Sequence, residues 1–497
     1  MNAAPGPGAS RPGSPGSPAD GPASLVAVAP TTVAGQVRAR RGFYAYAVAN
    51  HSYIAVIGTV LYAPYLTSVA QTAACGYAGT PQRPCEQNLS VLGVGIAPAS
   101  LVFYAIPIAT VLATLLLPTV GAVADRLTRP RILLAALAFL GSAAAVAMFA
   151  VTGGRWQLGV ALLLIATVSL AASEVVSNGF LHGLSDADGR DRVSSRGWAS
   201  GYVGSTVSLA IALGVVSAAP TLGLTIGVAV RVCFVFAGLW WAGWTLLPLM
   251  LLPDRAAAPI PTAAPTPTAA PAAMAAPARS RTSQVRVGRD LVDTFRDLSS
   301  HRQTFAFLLA ALFVNDGVAT VIGVASTYGS IELGLGQGVL LATILVVQVV
   351  AVGGALAFGA GARRVGARRM IQLGLLAWIL VVLAAFALPA HRVPPFVALG
   401  VAIGLVLGGV QALTRSAFSH LVPPGRESSY FSLYQATEQG TSWLGTLVFG
   451  LVRQLTGSYR PALVALLGFF VVALVLLRRV NFRAGIAEVG NPVPRVI

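Results

Sequence analysis

At 497 residues the chain is 56% hydrophobic and 10% charged, with a mean hydropathy of +0.76 and a formal net charge of +17. Soluble domains sit near about 25% charged, so this composition excludes an ordinary soluble protein and points to a polytopic membrane protein. All 33 Lys and Arg residues are arginines, which excludes a phosphate-loop lysine and Schiff-base chemistry; set between apolar runs, they speak for topology and anionic lipid.

Residues 1–42 are Pro, Gly, Ser and Ala with Arg38, Arg40 and Arg41 at the end, and they lack a signal-peptide core. This predicts a disordered cytoplasmic arm. Apolar runs then predict six spans near 43–70, 97–120, 132–152, 157–180, 198–218 and 223–252, an N-terminal bundle over 43–252. Cys75 and Cys85 share one short polar loop after the first run. They can form a disulfide if that loop faces an oxidising exterior, and the loop offers too few ligands for a metal. Residues 253–303 are a cytoplasmic Pro/Ala linker followed by a segment with Val287, Leu291, Phe295 and Leu298 on one helical face. That pattern reads equally as an amphipathic helix on the inner membrane surface or as a solvated linker helix. A second six runs, near 304–329, 338–361, 370–389, 395–419, 430–455 and 460–477, make a C-terminal bundle over 304–480, with 481–497 a cytoplasmic tail. The predicted fold class is therefore all-α, twelve transmembrane helices in two six-helix repeats.

Asp316 lies near the middle of the run Phe305–Gly329, beside Asn315 and Gly317. An ionised carboxylate at the bilayer centre costs roughly 2.5–3.5 kcal/mol, so it must face protein or a water-filled path. A helix–helix hydrogen bond is the plain alternative; a pathway residue and proton carrier is the expectation. With both termini inside, the inner segments carry 27 arginines against 5 outside, and Arg231 lies within the sixth span. Orientation follows from that asymmetry.

The halves repeat: GAVADRLTRPR from Gly121 returns as GAGARRVGARR from Gly359, and GRDRVSS from Gly189 as GRESSYF from Gly425. Parallel repeats of this kind describe a transporter. The first loop, with Gly121, Asp125, Arg126, Arg129 and Arg131, resembles the loop between helices 2 and 3 of the major facilitator superfamily. Its expected chemistry is an inner-gate clamp. Asp125 accepts from backbone N–H groups at a neighbouring helix end, or pairs with an Arg, until the halves rock apart. Arg363 stands where the second copy would carry the Asp, so the clamp is expected on one side only.

YAVANHSY, SNGFLHGL, RVSSRGWASGYVGS, RVCFVFAGLWW, NDGVATVIGVASTYG, QALTRSAFSHLVPPGRESSYFSLY and TSWLGTLVFG narrow the resemblance. They are similar to the vacuole effluxer-like branch of that superfamily, typified by the autophagy-related vacuolar amino-acid effluxer, across most of residues 43–480. Ala47 and His51 stand where the family's first helix has Asp and Ser. The resemblance implies that helices 1, 4, 7 and 10 line a central cavity. Asn50 and His51, Glu174 and Asn178, Asn315 and Asp316, and Gln411 and Arg415 would then face it. Gln435, Glu438 and Gln439 would join from helix 11 and Arg231 from helix 6, with Glu438 pairing to Arg415. Trp156 and Trp198 are expected as interface anchors.

The function implied is secondary active transport of a small polar solute, with export of an amino acid the leading expectation. Drug/proton antiport and a non-transporting scaffold are the alternatives. No metalloprotease, esterase or metal-spacing motif is present, so no enzyme is expected. The expected partners are the small-molecule solute and membrane lipid, with no nucleic acid and a monomeric chain. No cofactor is expected beyond a proton or sodium as coupling ion. The expected location is the cell membrane, with both termini cytoplasmic.

Overall fold

The computed structural model describes residues 32–79, 83, 85–91, 93–254, 296–439, 442–456 and 459–497. Helix α1 (Val33–Ser52) passes through a π-helical stretch (Tyr53–Leu61) into α2 (Tyr62–Cys75), forming one long first span. It starts at Val33 because the Thr32 hydroxyl accepts from the Gly35 N–H, capping a first turn that the composition had assigned to the arm. The rest of the expected arm, 1–31, lies outside the described residues. The π stretch loosens the helix by one residue per turn just before Pro64, which has no N–H to give.

The remaining spans of the first half are α3 (Leu101–Arg126), α4 (Pro130–Ala147), α5 (Trp156–Gly179), α6 (Arg190–Ala218) and α7 (Ile226–Leu251). The second half has α8 (Arg302–Thr327), α9 (Gln337–Val365), α10 (Ala367–Phe386), α11 (Val393–Ser419), α12 (Glu427–Gln439), α13 (Ser442–Thr456) and α14 (Tyr459–Arg479). Among the described residues eleven helical runs are long and apolar enough to cross a bilayer. The expected span over 430–455 is divided between α12 and α13, with 440–441 between them outside the described residues. The linker 255–295 lies outside as well, and with it Val287, Leu291 and Phe295; Leu298 is buried in a short helical segment over 296–300.

The tail carries a short helix of its own. Residues Phe482–Glu488 form α15, capped by the Asn481 side chain on the Ala484 N–H, with Ile486 fully buried. Cys75 and Cys85 are disulfide-bonded, with Cα atoms 5.9 Å apart. A small antiparallel hairpin, β1 (Leu89–Val91) with β2 (Val94–Ile96), follows at the same end.

The halves meet symmetrically. α6 packs on α9 and α11, and its repeat counterpart α12 packs on α3 and α5. Within the second half α9 and α11 cross at backbone contact. A Cβ at Gly354 would overlap the Leu405 carbonyl oxygen, and one at Gly408 the Ala351 carbonyl oxygen. In lipid such small-residue crossings replace the hydrophobic drive that water provides elsewhere. A Gly354→Leu substitution is therefore expected to destabilise the protein by about 1–3 kcal/mol, read as a lowered thermal midpoint of purified protein. A midpoint equal to wild type would show that the crossing is looser than described.

Candidate functional site

The end of the bundle carrying the arginine-rich loops (the basic end) is shut by polar contacts between the halves. Arg426 occupies the position before α12, where a side-chain acceptor would ordinarily cap the helix. That role is taken from the other half. Asp125, at the last turn of α3, accepts from the Ser428 N–H at 2.9 Å, the Ser429 N–H at 2.8 Å and the Ser429 hydroxyl at 2.7 Å. A carboxylate on a helix N-terminus is held by charge-assisted bonds and by the positive end of the helix dipole. Gly121 permits this approach, since a Cβ there would strike the Ser428 carbonyl. Arg131 anchors the loop from behind, on Asp254 and on the carbonyls of Leu249 and Leu252; Arg129 lies 3.7 Å from Asp254. Arg126 is exposed, as is Arg363, so the clamp is one-sided.

Further bonds cross the seam. Arg190 donates to the Ser419 carbonyl at 3.1 Å and sits 3.4 Å from His420 Nδ1. Ser416 donates to Asp191 at 2.6 Å, and Ser194 to the Ala412 carbonyl at 2.6 Å. Burial, and then the charges of Arg190 and His182, push His420 well below the ordinary histidine value, so the seam holds it neutral.

Above this floor lies a cavity of about 770 Å³, lined by both halves. It is closed toward the basic end. At the opposite end Thr59, Ile106 and Ile322 line it and stay exposed. Glu174 on α5 accepts from Asn50 Nδ2 at 3.0 Å and from Gln435 Nε2 at 2.9 Å, so its carboxylate joins α1 of one half to α12 of the other. Asn50 Oδ1 faces His51 Nδ1 at 2.8 Å. Arg415 donates to the Ser194 hydroxyl and carbonyl, both at 3.0 Å, and to Asn178 Oδ1 at 3.2 Å. The rings of Phe43 and Trp198 lie 5.3 and 5.4 Å from its guanidinium, within cation–π range. Tyr202 donates to Gln411 at 2.7 Å, and Glu438 lines the same wall.

Of the residues expected in the cavity, Asn50, His51, Glu174, Asn178, Asn315, Gln411, Arg415, Gln435 and Glu438 do line it, and the Gln439 side chain lies outside the described residues. Two do not. Asp316 is fully buried behind the wall, where Oδ2 accepts from the Gly445 N–H at 3.0 Å near the start of α13. Its one-residue offset from Asn315 turns it about 100° around the helix, away from the cavity and onto the divided span. Arg231 sits one turn into α7, where it bonds the Phe149 carbonyl and stacks on that ring, away from the polar centre. The expected Glu438–Arg415 pair is replaced by the bonds of Arg415 to Ser194 and Asn178. Trp198 is not an interface anchor; it packs edge-on to His51 inside the cavity. Ser194 and Tyr202 escaped notice in the sequence, being ordinary residues whose value lies in facing Arg415 and Gln411. Only the motif around them, RVSSRGWASGYVGS, marked the segment.

Two packed six-helix halves around a mid-bundle cavity, apolar over most of its wall and carrying one cluster of polar groups, define a multi-pass membrane transporter of the major facilitator type. The vacuole effluxer Atg22-like family model matches residues 36–490, and the chain belongs to that family. An uncharacterised MFS-type transporter of Bacillus subtilis (strain 168) is 26% identical over 87% of this chain and 92% of its own length. Autophagy-related protein 22-1 of Aspergillus niger is 25% identical over 82% and 76%. In fold, the chain is similar to the human organic anion transporter MFSD10, with a TM-score of 0.62 and 17% identity over 89% of this chain and 99% of that one. The family is described as one of effluxers and the Bacillus relative as an MFS-type transporter; this protein, as a member of the family, is a transporter and not an enzyme.

The clamp has a direct consequence. Asp125→Ala removes the acceptor of three bonds worth roughly 1.5–3 kcal/mol each to a charged group. A cysteine placed at the buried seam position Ser195 is expected to react with a maleimide at least about tenfold faster in that background. Equal rates would mean that Asp125 does not hold the basic end shut.

Proposed function

We propose that this protein is a secondary active transporter that exports a small zwitterionic solute, an amino acid, by alternating access and proton antiport. The observation carrying this reading is the meeting of both charge signs in one cavity. Arg415 uses three of its five N–H groups on Ser194 and Asn178, and a planar guanidinium so held suits a carboxylate. Glu438 and Glu174 act electrostatically on the same arginine, and they suit an ammonium group. The effluxer description of the family supports the direction. The halves 43–252 and 304–480 would rock about the cavity, alternately opening its two ends.

Orientation in this reading puts the basic end and both termini in the cytoplasm of the cell that carries the protein in its surface membrane. The 27 to 5 arginine asymmetry supports this, as does the Cys75–Cys85 bond at the opposite end, which suits an oxidising space. The protein acts as a monomer among lipids, with a proton rather than sodium as coupling ion.

Thermal unfolding of purified protein against amino acids, dipeptides and organic cations tests the reading. A bound solute at about a hundredfold its Kd stabilises by about 2.7 kcal/mol. At least one neutral amino acid is expected to stabilise the wild type, and Arg415→Lys to weaken its Kd about tenfold or more through loss of the planar fork. Stabilisation by organic cations alone would replace the reading with drug efflux. Asp316→Ala is expected to keep solute affinity within about twofold while lowering stability by about 1–2 kcal/mol, as for a lost helix-end acceptor. A tenfold loss of affinity in that variant would return Asp316 to the cavity chemistry.

A further inference from the structure

The contacts of Glu174 carry an inference that rests on the proton-driven reading and goes one step beyond it. Both of its oxygens are occupied, and both partners are amide nitrogens: Asn50 from the same half and Gln435 from the other. An ionised carboxylate accepts from both without conflict. A carboxylic acid accepts from both only weakly, because the oxygen that carries the proton loses its charge, keeps a poorer lone pair and gains an O–H to donate. Asn50 is held in its orientation by His51 against its own carbonyl oxygen, whereas the Gln435 carbonyl oxygen has no partner among the described residues. The bond that gives way is therefore the one that crosses between the halves.

We propose that Glu174 is the proton-operated clasp of this transporter. Ionised, it ties α12 to α5 and holds the cavity open away from the basic end. When a proton from water in the open mouth bonds to Oε2, the charge-assisted Gln435 Nε2–H···Oε2 bond is lost, any bond that the Gln435 amide then makes to the acid joins neutral groups only, and the weakened clasp frees the halves to rock. No other reactant is required.

The groups around Glu174 fit this role. From α1 it is faced by Asn50, with His51 and the Tyr46 hydroxyl close by; from α11 by the Arg415 charge; from α12 by Gln435 and Glu438. The flanking helices α3 and α4 carry their charged side chains, Asp125, Arg126 and Arg131, at the basic end. Glu438, the other carboxylate among the described cavity residues, bonds Tyr434 of its own helix, whereas Glu174 bonds across the halves, and that singles out Glu174. Glu174 is a positioning residue here, acting through Gln435.

Spin labels at Ile106 and Ile322, on opposite halves at the open mouth, read the two states as distances in nanodiscs without any solute. Between pH 8 and pH 5.5 the wild type is expected to shift its ratio of wide to narrow mouth by about tenfold, the scale of one lost charge-assisted bond. Glu174→Gln should lose that pH response and favour the narrow mouth at both values. Gln435→Ala, which spares the carboxylate, should do the same, while Glu438→Gln should retain the response. A wild type insensitive to pH, or a Glu174→Gln variant that responds like wild type, would overturn the clasp. Because no amino acid is present, failure of the amino-acid reading leaves this result standing, and failure here leaves that reading standing.

Discussion

A single carboxylate resting on the first turn of a helix from the opposite half organises this molecule. The early N–H groups of a helix have no partner within it, and α12 begins after an arginine that cannot supply one. Asp125 does so from across the seam, with its two oxygens taking two amides and a hydroxyl. The contact demands that backbones nearly touch, which is why Gly121 and Gly179 both face Ser428, where any side chain would collide. Once α3 and α12 are locked, α5 is drawn against α12, and the symmetric seam of α6 with α9 and α11 closes beside it. The cavity is what remains above.

That cavity differs from the membrane-facing exterior in how its polar groups are satisfied. Among the described residues no ion pair neutralises its charges; amides, hydroxyls and carbonyls solvate them: Glu174 by Asn50 and Gln435, Arg415 by Ser194 and Asn178. Buried opposite charges joined directly are expensive to separate. Charges held apart by neutral partners stay available to an incoming solute, and the same neutral partners can be exchanged as the halves move. Trp198 and Phe43 add a flat apolar wall that keeps the guanidinium aimed inward without consuming its donors.

Much of this was legible in the residues. Hydropathy alone located the two sets of spans, and the Gly-to-Asp-Arg register of the loop from Gly121 specified both the clamp and its one-sidedness, because only an acceptor can cap a helix start. Two cysteines in one short loop left the disulfide open, conditional on an oxidising exterior, and the structure forms it. What failed was azimuth. Asn315 and Asp316 are neighbours in sequence but point about 100° apart on a helix, and the carboxylate was needed where the last-but-one span divides into α12 and α13. Hydropathy cannot see that division, nor the π-helical stretch at Tyr53–Leu61 that resets the face of the first span. Arg231 failed on depth: one turn into α7, its long side chain reaches the Phe149 carbonyl instead of the polar centre. Trp198 failed because an aromatic at the start of an apolar run carries the same signal whether it meets lipid or a cavity.

Hydrogen exchange at the Ser428 and Ser429 amides of the protein in lipid nanodiscs tests the central claim most directly. Amides in the first turn of an uncapped helix exchange nearly as freely as unfolded chain, since nothing in the helix bonds them. With Asp125 seated on them they should exchange about a hundredfold slower or more, and that protection should vanish in the Asp125→Ala variant. Free exchange in the wild-type protein would contradict the account, because the basic end would then be closed by something other than this carboxylate.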